Sequence, residues 1–485
     1  MSTYTAVATR LRSPAPLSPF ARRWGPAWPL VILLGGYPLF WVAGLSAFAL
    51  PVMAVPMAII LYRRRPLRLP RGFAVWVLFL TWSVFGVLLL GVNPDGFVPG
   101  SASGRLMGFA MRELSYFSVT ILILFIGNLS EKELSQRRLV RLLGLFFVWV
   151  VAGGVLGMLL PQLQFTSLFE MVLPGGVRSN DFVQSLVHPR AAQVQELLAD
   201  ETPRPAAPFG YTNAWGFHIT LLGVWFFVAR FLIKGSRGKL LSAFILALGI
   251  VVLVYSLNRA AWMGVGVAVA YVAVRLALRG RLVMVASLVL AAAISLGALL
   301  ATPLGDVVTQ RLENGKSDSI RSFTTQKAFE LSAKAPITGF GTTRSTFGSS
   351  SSIAVGKSSQ CPQCGNASIG MNGYFYMLIV TTGFVGAALF FGFGAVQLWR
   401  TRMLWNPIVV AGSTVILMTA FYGFFYDGAT WLLVPFATLG ILWREDQRAR
   451  STASERFEGV ARGTEDADRG RRGDLEHAVP VADSR

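Results

Sequence analysis

Apolar residues in this chain collect into long runs separated by short polar segments, and they show neither strand alternation nor a single helical stripe. Twelve such stretches lie near 28–46, 47–62, 73–92, 106–127, 139–160, 213–233, 240–257, 262–278, 281–300, 373–397, 407–424 and 429–443. About 20 apolar residues cross the hydrocarbon core of a bilayer as helix. The pattern therefore predicts an all-α polytopic membrane bundle of about 12 transmembrane helices. The first two stretches carry the weakest signal, because Pro38, Pro51 and Pro56 interrupt them and the second is short.

Charge gives the bundle a direction. With the N-terminus placed in the cytoplasm, cytoplasmic segments hold 31 of the 44 Lys and Arg and outer segments 13, while the acids divide 12 and 12. The inner side then nets +19 and the outer side +1, the asymmetry that positive-inside topology requires. Arg63-Arg64-Arg65, the Lys132 to Arg141 segment, Arg230 to Lys239 and the tail after Arg444 are its main markers. An even number of spans puts both termini inside, and both are basic.

The net charge of +20 is spread over loops that flank apolar helices. It is better explained by topology and by contact with anionic membrane lipids than by nucleic acid, which is not expected as a partner. Residues 1–27 form a basic, Pro-rich cytoplasmic tail without a small-residue cleavage pattern. Residues 28–443 are the membrane domain, and 444–485 are polar and charged and read as a disordered cytoplasmic tail.

Two loops are far longer than the rest, about 161–212 and 301–372, and both fall on the outer face. Long loops in a compact protein are usually functional or disordered. The second has seven basic residues and four acids on the side where Lys and Arg are disfavoured, which calls for an anionic ligand or local pairing with Asp306, Glu313, Asp318 or Glu330. Arg259 lies in a turn of a few residues between two spans, so it sits at the outer membrane surface, where a guanidinium binds phosphate through paired hydrogen bonds or snorkels to headgroups. Arg321 opens an amphipathic helical segment that Pro336 ends, and Gly339 and Gly341 follow as loop punctuation or as a backbone anion site.

Cys361 and Cys364 are the only cysteines, and on an oxidising face they read as a local disulfide staple. With no second pair, no zinc site is expected. Of the three histidines, His188 and His218 are not spaced to complete a metal site, and His477 is in the tail. The chain lacks His-Glu-x-x-His, Walker and dinucleotide-binding patterns, so no metal or other cofactor is expected.

Four segments, in order, resemble the bacterial O-antigen ligase and O-antigen polymerase superfamily. Arg204-Pro-Ala-Ala-Pro-Phe-Gly-Tyr-Thr-Asn213 resembles its Arg-then-Gly-then-Asn motif entering a span. Ser256-Leu-Asn-Arg259 is similar to its Ser-x-Ser-Arg turn, with Asn258 in place of the second Ser. Arg321, Ala328 and Pro336-Ile-Thr-Gly-Phe-Gly341 match its Arg…Ala…Pro-x-x-Gly-x-Gly block. Met371-Asn-Gly-Tyr-Phe-Tyr-Met, followed by Gly383-Phe-Val-Gly386, resembles the motif opening the next span. The ligase branch usually carries His-Asn there; Met371-Asn372 in its place favours the polymerase branch.

The resemblance implies the architecture of lipid-donor membrane glycosyltransferases in the bacterial inner membrane. It further implies transfer of glycan from a polyprenyl diphosphate, undecaprenyl diphosphate above all, to a sugar hydroxyl on the extracytoplasmic face. Arg259 and Arg321 would bind the diphosphate and stabilise the charge it gains as the anomeric bond breaks. Arg204 and Asn213 would shape the donor site, and Asn372 and Tyr374 would orient the acceptor. No general base is singled out among Glu313, Asp318 and Glu330. The implied partners are the lipid-linked glycan, membrane lipids and other envelope polysaccharide assembly proteins. The rival readings are a transporter or flippase for lipid-linked oligosaccharide, and a scaffold for an envelope synthesis complex. The transporter reading is disfavoured by scarce intramembrane charge, apart from Arg112-Glu113, and by the two large outer loops.

Overall fold

A computed structural model of the chain describes residues 25–179, 181–196, 201–233, 238–302, 305, 309, 316–346, 367–428 and 430–476. Helix occurs in each of the twelve apolar stretches. Among the described residues, five helices are long and apolar enough to cross a membrane: Ala102–Asn128, Gln136–Leu159, Thr212–Leu232, Arg259–Ala277 and Tyr374–Thr401. Shorter apolar helices cover Ser46–Tyr62, Phe73–Leu89, Lys239–Tyr255, Leu282–Ser295 and Pro407–Tyr422. Large apolar side chains are left outside on many of them, among them Leu88, Leu240, Leu278 and Val283. Such a surface is stable against lipid and costly against water, so the chain is a membrane protein.

Helix boundaries follow local chemistry. Ser101, Ser135 and Asn406 each cap a helix by accepting from the backbone N–H three residues on, and Pro407 sits in the first turn, where its missing N–H costs nothing. The first apolar stretch is broken into Trp28–Gly35 and Tyr37–Val42, each with a proline near its start. The core is aromatic: Trp76 packs its ring against Phe79, Tyr116, Phe390 and Phe436, all buried or nearly so.

The polar stretch expected to be disordered after residue 444 instead continues the last helix, Leu433–Glu476. Its composition explains this: no proline interrupts residues 436–476, Ala, Glu and Arg are common, and Asp446 pairs with Arg450 one turn on.

At one end of the bundle, carboxylates tie the loops together. Arg64 pairs with Glu133, Arg444 and Arg448 both reach Glu131, and Arg448 also bonds Glu445 at 2.8 Å. The opposite end carries the two long connections, each with a small antiparallel pair: Ala192–Glu196 with Glu201–Pro205, and Arg344–Thr346 with Ala367–Ile369. The second connection also contains the helix Lys316–Lys334, packed on the 374–401 helix.

The Pro336–Gly341 turn docks into a break in that helix. Gly383 has φ +68° inside it, a conformation that frees the carbonyls of Val380 and Thr381 to accept from Phe340 and Gly341 N–H, both at 2.9 Å. A Cβ on Gly383 would collide with the Ile337 carbonyl, and one on Gly339 with the backbone at Thr381–Gly383.

Candidate active site

The turn that follows the 407–422 helix is the hub of the end carrying the long connections. Its carbonyls accept from three directions: Gly423 from Phe375 N–H at 2.8 Å, Tyr426 from Tyr374 N–H at 2.7 Å, and Phe425 from Arg321 Nη1 at 3.2 Å. The Tyr426 hydroxyl donates to Asn258 Oδ1 at 2.6 Å. Segments near residues 258, 321, 374 and 426 thus meet at one place.

The 256–259 turn opens the next helix at Arg259. Leu257 adopts φ +54°, left-handed backbone that is unfavourable for a branched side chain and is held here by its burial. Asn258 caps the Arg259–Ala277 helix by accepting from Ala261 N–H. Arg259 is the first helical residue and half-buried. Behind it, buried Arg204 donates from Nε to the Ser256 carbonyl at 2.7 Å, and Thr212 Oγ1 contacts the Arg204 carbonyl at 3.4 Å. Arg204 therefore joins the 201–205 strand, the 256–259 turn and the start of the 212–227 helix.

Arg321 and Thr325 are one helical turn apart, on one face of the 316–334 helix. Asn372 Nδ2 donates to Thr325 Oγ1 at 2.8 Å, which fastens that face against the start of the 374–401 helix, while Asn372 Oδ1 is buried with no protein partner.

A carboxylate completes the group. Asp427 follows the hub and keeps an exposed edge. Burial pushes its carboxyl up to about 7, against its own backbone hydrogen bond and the Arg321 charge, which both pull it down. Burial also raises the Tyr426 phenol well above its ordinary value; the nearby Tyr422 raises it further, while Arg204 and Arg321 pull it back. Both guanidinium charges therefore act on the same small volume.

Asp427 was not singled out from the sequence. It stands in a short inter-helix turn with no motif around it, and Arg321 lies more than a hundred residues earlier. The available signal was weak: an isolated acid between two apolar stretches.

The other singled-out residues are placed as follows. Asn213 is half-buried in the first turn of the 212–227 helix. Tyr374 joins the hub through its backbone only; its ring is buried and stacked on Trp431 at 4.2 Å. Glu330 pairs with Lys327 at 2.7 Å. Asp318 lies in the 316–334 helix, whereas Asp306, Glu313, Cys361, Cys364 and His477 lie outside the described residues. His218 is buried, stacked on Phe209 and bonded through Nδ1 to the Ala214 carbonyl at 2.7 Å. His188 pairs with Glu170 at 2.9 Å. Arg112 donates to the Gly341 carbonyl and Glu113 accepts from Ser83 Oγ at 2.6 Å. The Phe340 and Gly341 N–H groups are spent on the helix break and not on an anion. Among the described residues, no three His, Cys, Asp or Glu side chains gather as metal ligands.

No protein-family model matches the chain, and a search of curated proteins finds no match either. The functional reading therefore rests on the site itself: Arg204, Arg321, Asn258, Asn372 and Asp427 gather at the end of a set of apolar helices, with Arg259 next in the chain to Asn258.

Proposed function

We propose that the chain is a bacterial inner-membrane glycosyltransferase of the O-antigen polymerase and ligase type, with twelve spans, both termini cytoplasmic and the site on the extracytoplasmic face. It takes glycan from a polyprenyl diphosphate and passes it to a sugar hydroxyl, and the missing histidine of the ligase branch favours the polymerase.

The observation that carries this reading is the meeting of Arg321 and Asp427 at the 423–427 turn, which Tyr426 joins to Asn258, the neighbour of Arg259, in the 256–259 turn that Arg204 holds. In the reaction the acceptor hydroxyl oxygen attacks the anomeric carbon, and the bond from that carbon to the diphosphate oxygen breaks. Asp427 takes the hydroxyl proton. A carboxyl with a pKa near 7 is well matched to that task at neutral pH. The departing diphosphate gains negative charge, which fixed guanidinium groups stabilise without reorganising. The diphosphate is already a good leaving group, so an acid catalyst is not needed. Arg204, bonded to the Ser256 carbonyl, holds the turn that presents Arg259.

The test is the lipid-linked and surface glycan of a deletion strain complemented with wild type or with Arg259→Ala. Single lipid-linked repeats without polymer support a polymerase. Full-length polymer left on the lipid supports a ligase. An unchanged profile in both strains overturns the reading and brings transport forward.

A further inference from the structure

At the other end of the bundle a second group of arginines has a different character. Arg275, in the last turn of the 259–277 helix, donates to the carbonyls of Arg402 and Leu404, both at 2.9 Å. These bonds pin the end of that helix to the segment after the 374–401 helix. The indole of Trp405 then lies among three guanidinium groups, at 5.4 Å from Arg275, 5.1 Å from Arg279 and 5.8 Å from Arg281. Arg402 stacks on Trp399 at 3.6 Å.

No acid occurs between residues 259 and 305 or between 331 and 426. The neighbouring acid, Glu445, is occupied by Asn406 at one oxygen and Arg448 at the other, both at 2.8 Å. Four cations are thus gathered around two indoles and mutually repel, with hydrogen-bonding edges left over on exposed Arg279, Arg281 and Arg402. Stacking fixes the planes of guanidinium groups and leaves their edges to bind an oxyanion. Exposed Leu278, Val283 and Met403 flank the cluster. A headgroup phosphate beside acyl chains matches that combination, whereas a free ion uses only the arginines.

We propose that this cluster is a binding site for the phosphate of an anionic phospholipid. The site is separate from the one around Arg321: Arg259 and Arg275 mark opposite ends of one helix, about 24 Å apart at the usual rise. It does not depend on the glycan-transfer reading, and under the proposed topology it faces the inner leaflet, where anionic lipid attracts such groups.

The test uses the full-length protein purified in neutral detergent, with native mass spectrometry and thermal unfolding read after adding phosphatidylglycerol, phosphatidylcholine or inorganic phosphate. Phosphatidylglycerol is expected to stay bound and raise the midpoint, and phosphatidylcholine to do neither. Arg279→Gln with Arg281→Gln should weaken phosphatidylglycerol retention on the order of tenfold. Arg137→Gln, at an exposed arginine elsewhere, should leave retention unchanged and serves as the control. The two replaced side chains are exposed, so the unliganded melting midpoint of the variant should equal that of wild type. Equal phosphatidylglycerol retention in the variant overturns the site. A midpoint shift with inorganic phosphate as large as with phosphatidylglycerol overturns the lipid assignment in favour of a plain phosphate ion.

Discussion

The ring of pairs around Glu131 and Glu133 and the candidate site at the opposite end use arginine in opposite ways. At the end joined by residues 64, 131, 133, 444 and 448, arginines meet carboxylates: Arg64 with Glu133, and Arg444 and Arg448 with Glu131. Those pairs close loops onto helices. At the other end, Arg204 and Arg321 bond to carbonyl oxygens of turns, which orient a guanidinium. Arg344 marks the structural extreme of the same practice: it is buried, with all three nitrogens on carbonyls of the 89–92 and 340–343 segments, and burial together with nearby Arg105 pushes it down to about 10. An arginine whose donors are all committed is a fastening. Arg321, bonded to the Phe425 carbonyl beside Asp427, keeps its charge next to an acid at the candidate site.

Breaking the functional end should have the largest effect. Under the proposed function Arg321→Ala removes a full charge that stabilises the leaving diphosphate, and polymer synthesis should fall by about 10²- to 10³-fold with the protein still present in the membrane. Quantifying polymer against protein level in complemented cells checks this. Asp427→Asn should cost about 10²-fold at neutral pH. Asp427 must be ionised to accept the proton, so wild-type activity should rise with pH up to about 7 and level off above it, and the variant should lose that dependence. A pH–rate profile of purified protein reads both.

A substitution beside the site should act on stability instead. Gly383→Ala forces a Cβ into the Ile337 carbonyl at a left-handed backbone position, and it should destabilise the dock of the 336–341 turn by about 2–4 kcal/mol. The measurement is the melting midpoint in detergent. Breaking the paired end should matter least. Glu133→Gln should cost about 1 kcal/mol, because the Arg64–Glu133 pair is partly exposed. Hydrogen bonds from Arg64 hold the Glu133 carboxyl down to about 2. Its contribution is therefore complete above the ordinary value of 4.5 and is lost as pH falls toward 2, and acid titration of wild type against the variant reads the difference.

The helices were legible because long apolar runs carry their own signal, independent of partners. Much of the site was legible through short motifs, since Arg204, Asn258, Arg321 and Asn372 lie in segments that fold to one end. Asp427 was not, because its significance comes from a cation far away in sequence. The glycine turn was legible as a turn but not as a dock, since its partner is a break inside another helix. Tyr374 shows a limit of motif reading: its position belongs to the site while its ring belongs to the core. The helical tail was misjudged because polarity argued for disorder, while propensity and the pairing of Asp446 with Arg450 favour helix.

The most direct test of the account is donor consumption by purified protein in liposomes supplied with an oligosaccharide on a polyprenyl diphosphate. The account predicts longer glycan on the lipid together with release of free polyprenyl diphosphate, both lost in Arg321→Ala. Donor that crosses the bilayer unchanged, or that persists unaltered with wild type and variant alike, would contradict it.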